Sequence, residues 1–165
     1  MTAKPPSATE RPHVLIVTDD TGLSEFLAEG LLYGGFWTSA VASGIQTLEV
    51  FRLRSFDLIL IDVAVSGMSA LEVIRRLRGK SSRAETDAAR TDIPILVLAA
   101  SEQEADGEAV RDAGADGVLV APLELEVLVP ALHGVVETWR RDHPDRPFAD
   151  AAAQARPSKS RRPGV

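Results

Sequence analysis

The stretch Phe56–Gly67, FDLILIDVAVSG, restricts the folds open to this chain more than any other. Leu58 to Ile61 are continuously apolar, the pattern of a strand covered on both faces; a strand with one wet face would alternate. The run ends in a single acid, Asp62. A loop of small residues follows, and a helical pattern begins at Ser69. A carboxylate where such a strand stops lies at the sheet edge, and open α/β sheets bind their ligands there.

The same grammar recurs along the chain. His13–Val17 is an apolar run that stops at Thr18-Asp19-Asp20-Thr21-Gly22. A helical stripe follows with Leu23, Phe26, Leu27, Leu31 and Leu32, capped by Asp20 or Thr21 and ended by Gly34-Gly35. Phe36–Val41 forms a strand, and Ser43 caps a helix carrying Ile45, Leu48, Val50, Phe51 and Leu53. The helix after Asp62 turns Leu71, Val73, Ile74 and Leu77 inward, with Arg75, Arg76 and Arg78 as a solvated outer face. Gly79–Thr91 is polar and long for a helix-to-strand connection, where about 2–6 residues is usual. Pro94–Leu98 is the fourth strand. Glu102–Asp112 is a charged helix closed by Gly114, and Gly117–Val120 is the fifth strand. A last stripe holds Leu125, Leu128, Val129, Leu132, Val135, Val136 and Trp139. Pro130 falls inside it and predicts a kink or a local irregularity, because an interior proline costs about 3 kcal/mol.

Strand and helix alternating five times require a parallel sheet with helices on both faces and right-handed crossovers. The carboxyl ends of strands one, three, four and five then gather Thr18-Asp19-Asp20, Asp62, Ala99-Ala100-Ser101 and Ala121-Pro122 at one edge. Residues 1–11 read as a disordered lead-in, 12–141 as one domain, and 142–165 as a mostly disordered tail that is basic at its end. The domain carries 11 basic and 20 acidic side chains, the tail five and three. An acidic body disfavours nucleic acid. There is no cysteine, which excludes disulfides and thiolate chemistry. No apolar run approaches the about 20 residues of a membrane span, and residues 1–10 lack a signal-peptide core, so a cytoplasmic location is expected.

The ordered set VLIVTDD, FDLILIDVAVSGMSALEVIRRLR, IPILVLAAS and GADGVLVAP resembles the receiver domain of bacterial response regulators, over about residues 12–140. The resemblance implies a flavodoxin-like fold with strand order 2-1-3-4-5. It also implies a mechanism: a histidine kinase passes a phosphoryl group to the third-strand acid, here Asp62. Mg²⁺ is held there by the first-strand acid pair, by Asp62 and by the carbonyl of Ala64. A fifth-strand lysine and a fourth-strand hydroxyl bind the phosphoryl oxygens, and an aromatic side chain on the fifth strand relays the change. Matched position by position, Asp62 and Asp19 are kept, with Asp20 adjacent. The first acid is Thr18, the hydroxyl position Ala99, the switch aromatic Val118, the lysine Ala121, and the loop Pro-Gly is Ser66-Gly67.

Two carboxylates can still hold Mg²⁺ weakly. Aspartyl phosphate formation, however, draws most of its stabilisation from positioned cations and donors. The expected function is therefore a single-domain, response-regulator-like signalling protein in or beside a two-component phosphorelay. It would act by contact with a histidine kinase or an output protein, with weak or no phosphorylation of Asp62. The surface formed by the 102–112 helix, the 117–120 strand and the last helix would carry that contact or a homodimer. The alternatives are a working Mg²⁺-dependent phosphoacceptor at Asp62 and, more remotely, a phosphatase or phosphotransferase using Asp19 or Asp20 as nucleophile.

Overall fold

The computed structural model describes residues 11–82 and 90–149. The expectations for residues 1–10, for most of the 79–91 connection and for 150–165 lie outside the described residues. Five strands form one parallel sheet in the order β2-β1-β3-β4-β5. They are β1 (His13–Val17), β2 (Trp37–Val41), β3 (Leu58–Asp62), β4 (Ile95–Ala99) and β5 (Gly117–Val120). The helices are α1 (Thr21–Tyr33), α2 (Gly44–Leu53), α3 (Ala70–Leu77), α4 (Glu102–Ala105), α5 (Gly107–Ala113) and α6 (Leu125–Asp142). This is the doubly wound arrangement expected from the alternation, with the flavodoxin-like strand order that the resemblance implies.

Strand side chains sort to opposite faces with period two. Leu15, Val17, Ile59, Ile61, Ile95 and Val97 join α3 and α5 on one side. Val14, Ile16, Leu58, Leu60, Leu96 and Leu98 join α1 and α6 on the other. Both faces are dry, which is why these strands are apolar without alternation. The register sets the carboxyl ends side by side: Val17 pairs with Ile61, Asp62 with Leu98, and Ala99 with Val120.

Three local expectations are corrected. The single helix over 102–112 is split, because Asp106 adopts a left-handed conformation (φ 39°) and caps the start of α5 through the Ala109 amide. The fifth helix expected from the sequence is thus α6 here. That helix continues through Pro130, which lies in its second turn, where the packing of Leu128, Leu132 and Val136 offsets one missing donor. In α2 Gly44 and Thr47 are buried and Leu48, Val50 and Phe51 pack against the core, while Ile45 and Leu53 are exposed. Gly44 sits so close to α3 that a Cβ there would lie 2.5 Å from a Val73 methyl. Arg78 is no solvated cation: its guanidinium is largely buried and donates to the carbonyls of Thr91 and Gly114 and to Asp116. Arg75 and Arg76 do lie at the surface, paired with Glu72.

Residues 143–149, grouped with the tail by composition, return to the amino-terminal edge of the sheet. Arg146 forms a two-pronged ion pair with Asp92, and Phe148 packs beside α6 residues. The Ala149 amide donates to Asp57, a buried acid that also accepts from the His13 amide. Asp57 opens β3 and Asp62 closes it, so the two acids of FDLILID serve opposite edges of the sheet.

Candidate functional site

The site is built where β1, β3, β4 and β5 end. Thr18 follows β1 and is buried, its amide tied to the Val41 carbonyl. Its hydroxyl donates to Asp62 Oδ2 at 2.7 Å and accepts from the Asp20 amide at 3.1 Å. The other Asp62 oxygen, Oδ1, accepts from the Ala64 amide at 2.9 Å. Both oxygens of the half-buried Asp62 therefore already have a donor from this chain. Among the described residues no Lys or Arg pairs with Asp62 or Asp19.

Asp19 Oδ2 accepts from the Ser66 amide at 3.2 Å. Hydrogen bonding from Ser66 holds the Asp19 carboxyl below the usual carboxylate range, so it is ionised at neutral pH. Asp20 acts as the N-cap of α1, with Oδ1 accepting from the Leu23 amide. Ala64 follows Asp62 with its carbonyl in the loop between Val63 and Gly67. Ala99 ends β4 and is buried. Ala121 follows β5 and is exposed, tied by its amide to the Ala99 carbonyl and joined to Pro122 by a cis peptide bond. Val118 is half-buried and packs into the core on the α3 and α5 side. The fold thus brings Thr18, Asp19, Asp62, Ala64, Ala99 and Ala121 to one edge, while Val118 lies inward from it.

What the edge can do follows from this inventory. The side chains at the ends of β4 and β5 are methyl groups, which offer a phosphoryl group neither a hydrogen bond nor a charge. Glu104 adds a further negative group, its carboxylate accepting from the Ala100 amide while the Ser101 hydroxyl accepts from the Glu104 amide. The Ser-x-x-Glu spacing of a capping box announced this pair in the sequence. The adjoining groove, about 680 Å³, is lined by Asp19, Glu25 and Glu49 and by no basic residue. Its field opposes a phosphate-bearing ligand. No described group of three or more His, Cys, Asp or Glu side chains could hold a metal ion. The donors present are two carboxylates and one carbonyl, and Mg²⁺ is usually held by one or two carboxylates with several waters kept.

The Thr18–Asp62 bond joins positions 44 apart and has no signature in sequence. Thr18→Val keeps the shape and removes the hydroxyl. It should lower unfolding stability by about 1 kcal/mol in urea denaturation, with Thr18→Ser close to the parent, because water reaches half-buried Asp62 and softens the loss.

The response regulator receiver domain model matches residues 14–133. The chain is 31% identical over 146 residues to the transcriptional regulatory protein CseB of Streptomyces avermitilis, covering 87% of this chain and 58% of that protein. It is 31% identical over 132 residues to the response regulator MprA of Mycobacterium tuberculosis, covering 80% and 52%. It therefore spans about half the length of these curated relatives. Among solved structures, it is similar to the chemotaxis response regulator CheY4 of Vibrio cholerae, at 25% identity and TM-score 0.62, covering 75% of this chain and 98% of that one. A CheY-like receiver domain protein from Methanospirillum hungatei, at 18% identity and TM-score 0.67, shares the fold over 79% and 98%.

Proposed function

The chain belongs to the response regulator receiver domain family, and from that premise we propose that it signals by protein contact without a phosphoryl switch at Asp62. A receiver is a signalling module of two-component systems rather than an enzyme, so the reading of Asp19 or Asp20 as a phosphatase nucleophile falls away. The structure agrees with that: Asp20 is spent on capping α1 and Asp19 is tied to Ser66.

One observation carries the proposal. The acceptor carboxylate is kept, but the groups that would bind its phosphoryl oxygens are Ala99 and Ala121, and the first acid is Thr18, whose hydroxyl occupies Asp62 Oδ2. A switch needs an element whose contacts differ between two states. Neither Ala99 nor Val118 has a side-chain group able to sense a phosphate. The partner is a histidine kinase or an output protein, met in the cytoplasm, and the surface of α5, β5 and α6 is the contact face, available also to a second copy.

The retained Asp19, Asp62 and Ala64 carbonyl fit a loosely held, largely hydrated Mg²⁺, and they support the rival reading of a working phosphoacceptor. When bound, the ion would supply neutralising charge beside Asp62. Asp19, already ionised, would anchor it, and Thr18 would keep Asp62 oriented toward the loop.

Amide NMR of the labelled chain with Mg²⁺ and beryllofluoride separates the readings. Mg²⁺ alone should shift only amides near Asp19, Asp62 and Ala64, and beryllofluoride should add nothing. Saturable shifts spreading through β4, β5 and α6 on beryllofluoride addition would establish the switching receiver instead.

A further inference from the structure

At the amino-terminal edge of the sheet, opposite Asp62, lies a second cavity of about 540 Å³. Its walls include Arg54, Arg78, Arg90 and Arg146 against a single acid, Asp92. Four arginines lining one cavity of a protein of net charge −6 are a marked local reversal of sign.

Two of the four are neutralised from within. Arg78 is matched by Asp116 and by two backbone carbonyls, and Arg146 is matched by Asp92. Asp92 is shared further, with His143 at 3.6 Å. Arg54 and Arg90 have no carboxylate partner among the described residues. Both are nonetheless positioned. Arg54 stands over the Phe56 ring at 5.9 Å, and Arg90 lies along Gly79, where a Cβ would come within 2.9 Å of Nη1. Gly79 has φ +72°, a conformation that favours glycine, so the turn also leaves room for this guanidinium. The cavity size falls in the range of small-molecule sites, about 300–1,000 Å³. Planar guanidinium groups are suited to phosphate oxygens, which they grip with two parallel N–H donors.

We propose that this cavity binds a small molecule carrying a diphosphate group, through Arg54 and Arg90. The two unmatched guanidinium groups take the two phosphates. Arg146, on the returning 143–149 segment, closes one wall, and Thr91 is on the same lining. The ligand is either inorganic pyrophosphate itself or a nucleotide presenting the same group.

Titration calorimetry of the full chain at low ionic strength, with pyrophosphate, ADP and adenosine as separate probes, tests this. Pyrophosphate and ADP should both bind and adenosine should not. Equal affinities identify the diphosphate alone as the ligand, and tighter ADP identifies a nucleotide. Affinity should fall as salt rises toward physiological strength. Arg54→Ala/Arg90→Ala should weaken binding about a hundredfold, since each of the two lost charged hydrogen-bond pairs costs about tenfold. Arg75→Ala/Arg111→Ala, which removes the same charge elsewhere, should leave it nearly unchanged. Both substituted pairs are at the surface, and matching thermal unfolding curves verify that the variants are folded. Absence of binding at millimolar pyrophosphate, an equal loss in the control variant, or undiminished binding in Arg54→Ala/Arg90→Ala would overturn the proposal. None of these outcomes bears on Asp62, which lies at the other edge.

Discussion

The triple variant Thr18→Asp/Ala99→Thr/Ala121→Lys is expected to take up a phosphoryl group at Asp62 from acetyl phosphate and Mg²⁺ roughly 10³-fold faster than the parent chain. Each substitution restores one physical element. The acid at position 18 replaces a hydroxyl that now occupies Asp62 Oδ2, and it gives Mg²⁺ a third carboxylate. The hydroxyl at position 99 supplies a donor at the end of β4. The ammonium at position 121 supplies a fixed cation where charge develops, and the exposed setting of Ala121 leaves room for it. Among the single variants, Ala121→Lys should gain most, because a positioned cation contributes more to phosphoryl transfer than one neutral donor. Intact mass against time, with Asp62→Ala in the same background as the control, reads the rate. A triple variant no faster than the parent would show that the backbone of the site, and not its side chains, has lost the chemistry.

Phe36→Ala should cost about 3–5 kcal/mol in unfolding free energy, a large share of the about 5–15 kcal/mol typical of a domain. Phe36 precedes β2 and is fully buried with Leu27 and Leu31 of α1 and Leu132 of α6. Its ring stacks on His133 with centroids 4.1 Å apart, and the His133 ring in turn reaches the Gly34 carbonyl at 2.7 Å. Removing the ring opens a void that three separate elements would have to close together. Phe36→Leu, which keeps most of the volume, should cost less than about 1.5 kcal/mol. Urea denaturation reads both, and the order of the two variants is the check on the packing account. Equal, small losses would show that this end of the sheet tolerates repacking.

The fold was legible because its strands are apolar on both faces. The apolar runs alone marked each strand to within a residue, as in Pro94–Leu98 read against Ile95–Ala99 observed. The candidate site was legible in its membership, since strand order fixes which strand ends meet. Its state was not. The Thr18–Asp62 bond depends on a sheet register that no local window contains, and it shows that the substituted residue is itself a partner of the acid. Arg78 read as a surface cation because helical periodicity put it outward; only the packing of α3 against the turn after α5 buries it. Of the apolar residues that α2 carries, Leu48, Val50 and Phe51 reach the core and Ile45 and Leu53 do not, a division hydropathy does not show; α2 meets α3 closely through Gly44. Residues 143–149 read as tail because their partners, Asp57 and Asp92, lie far back in the chain.

The central claim is that Asp62 is held in place yet lacks the surroundings for phosphoryl chemistry. The direct measurement is intact mass of the parent chain after incubation with acetyl phosphate or phosphoramidate and Mg²⁺. The account predicts an unchanged mass, identical to that of Asp62→Ala treated in the same way. A stable phosphate adduct on the parent chain, lost in Asp62→Ala, would contradict it.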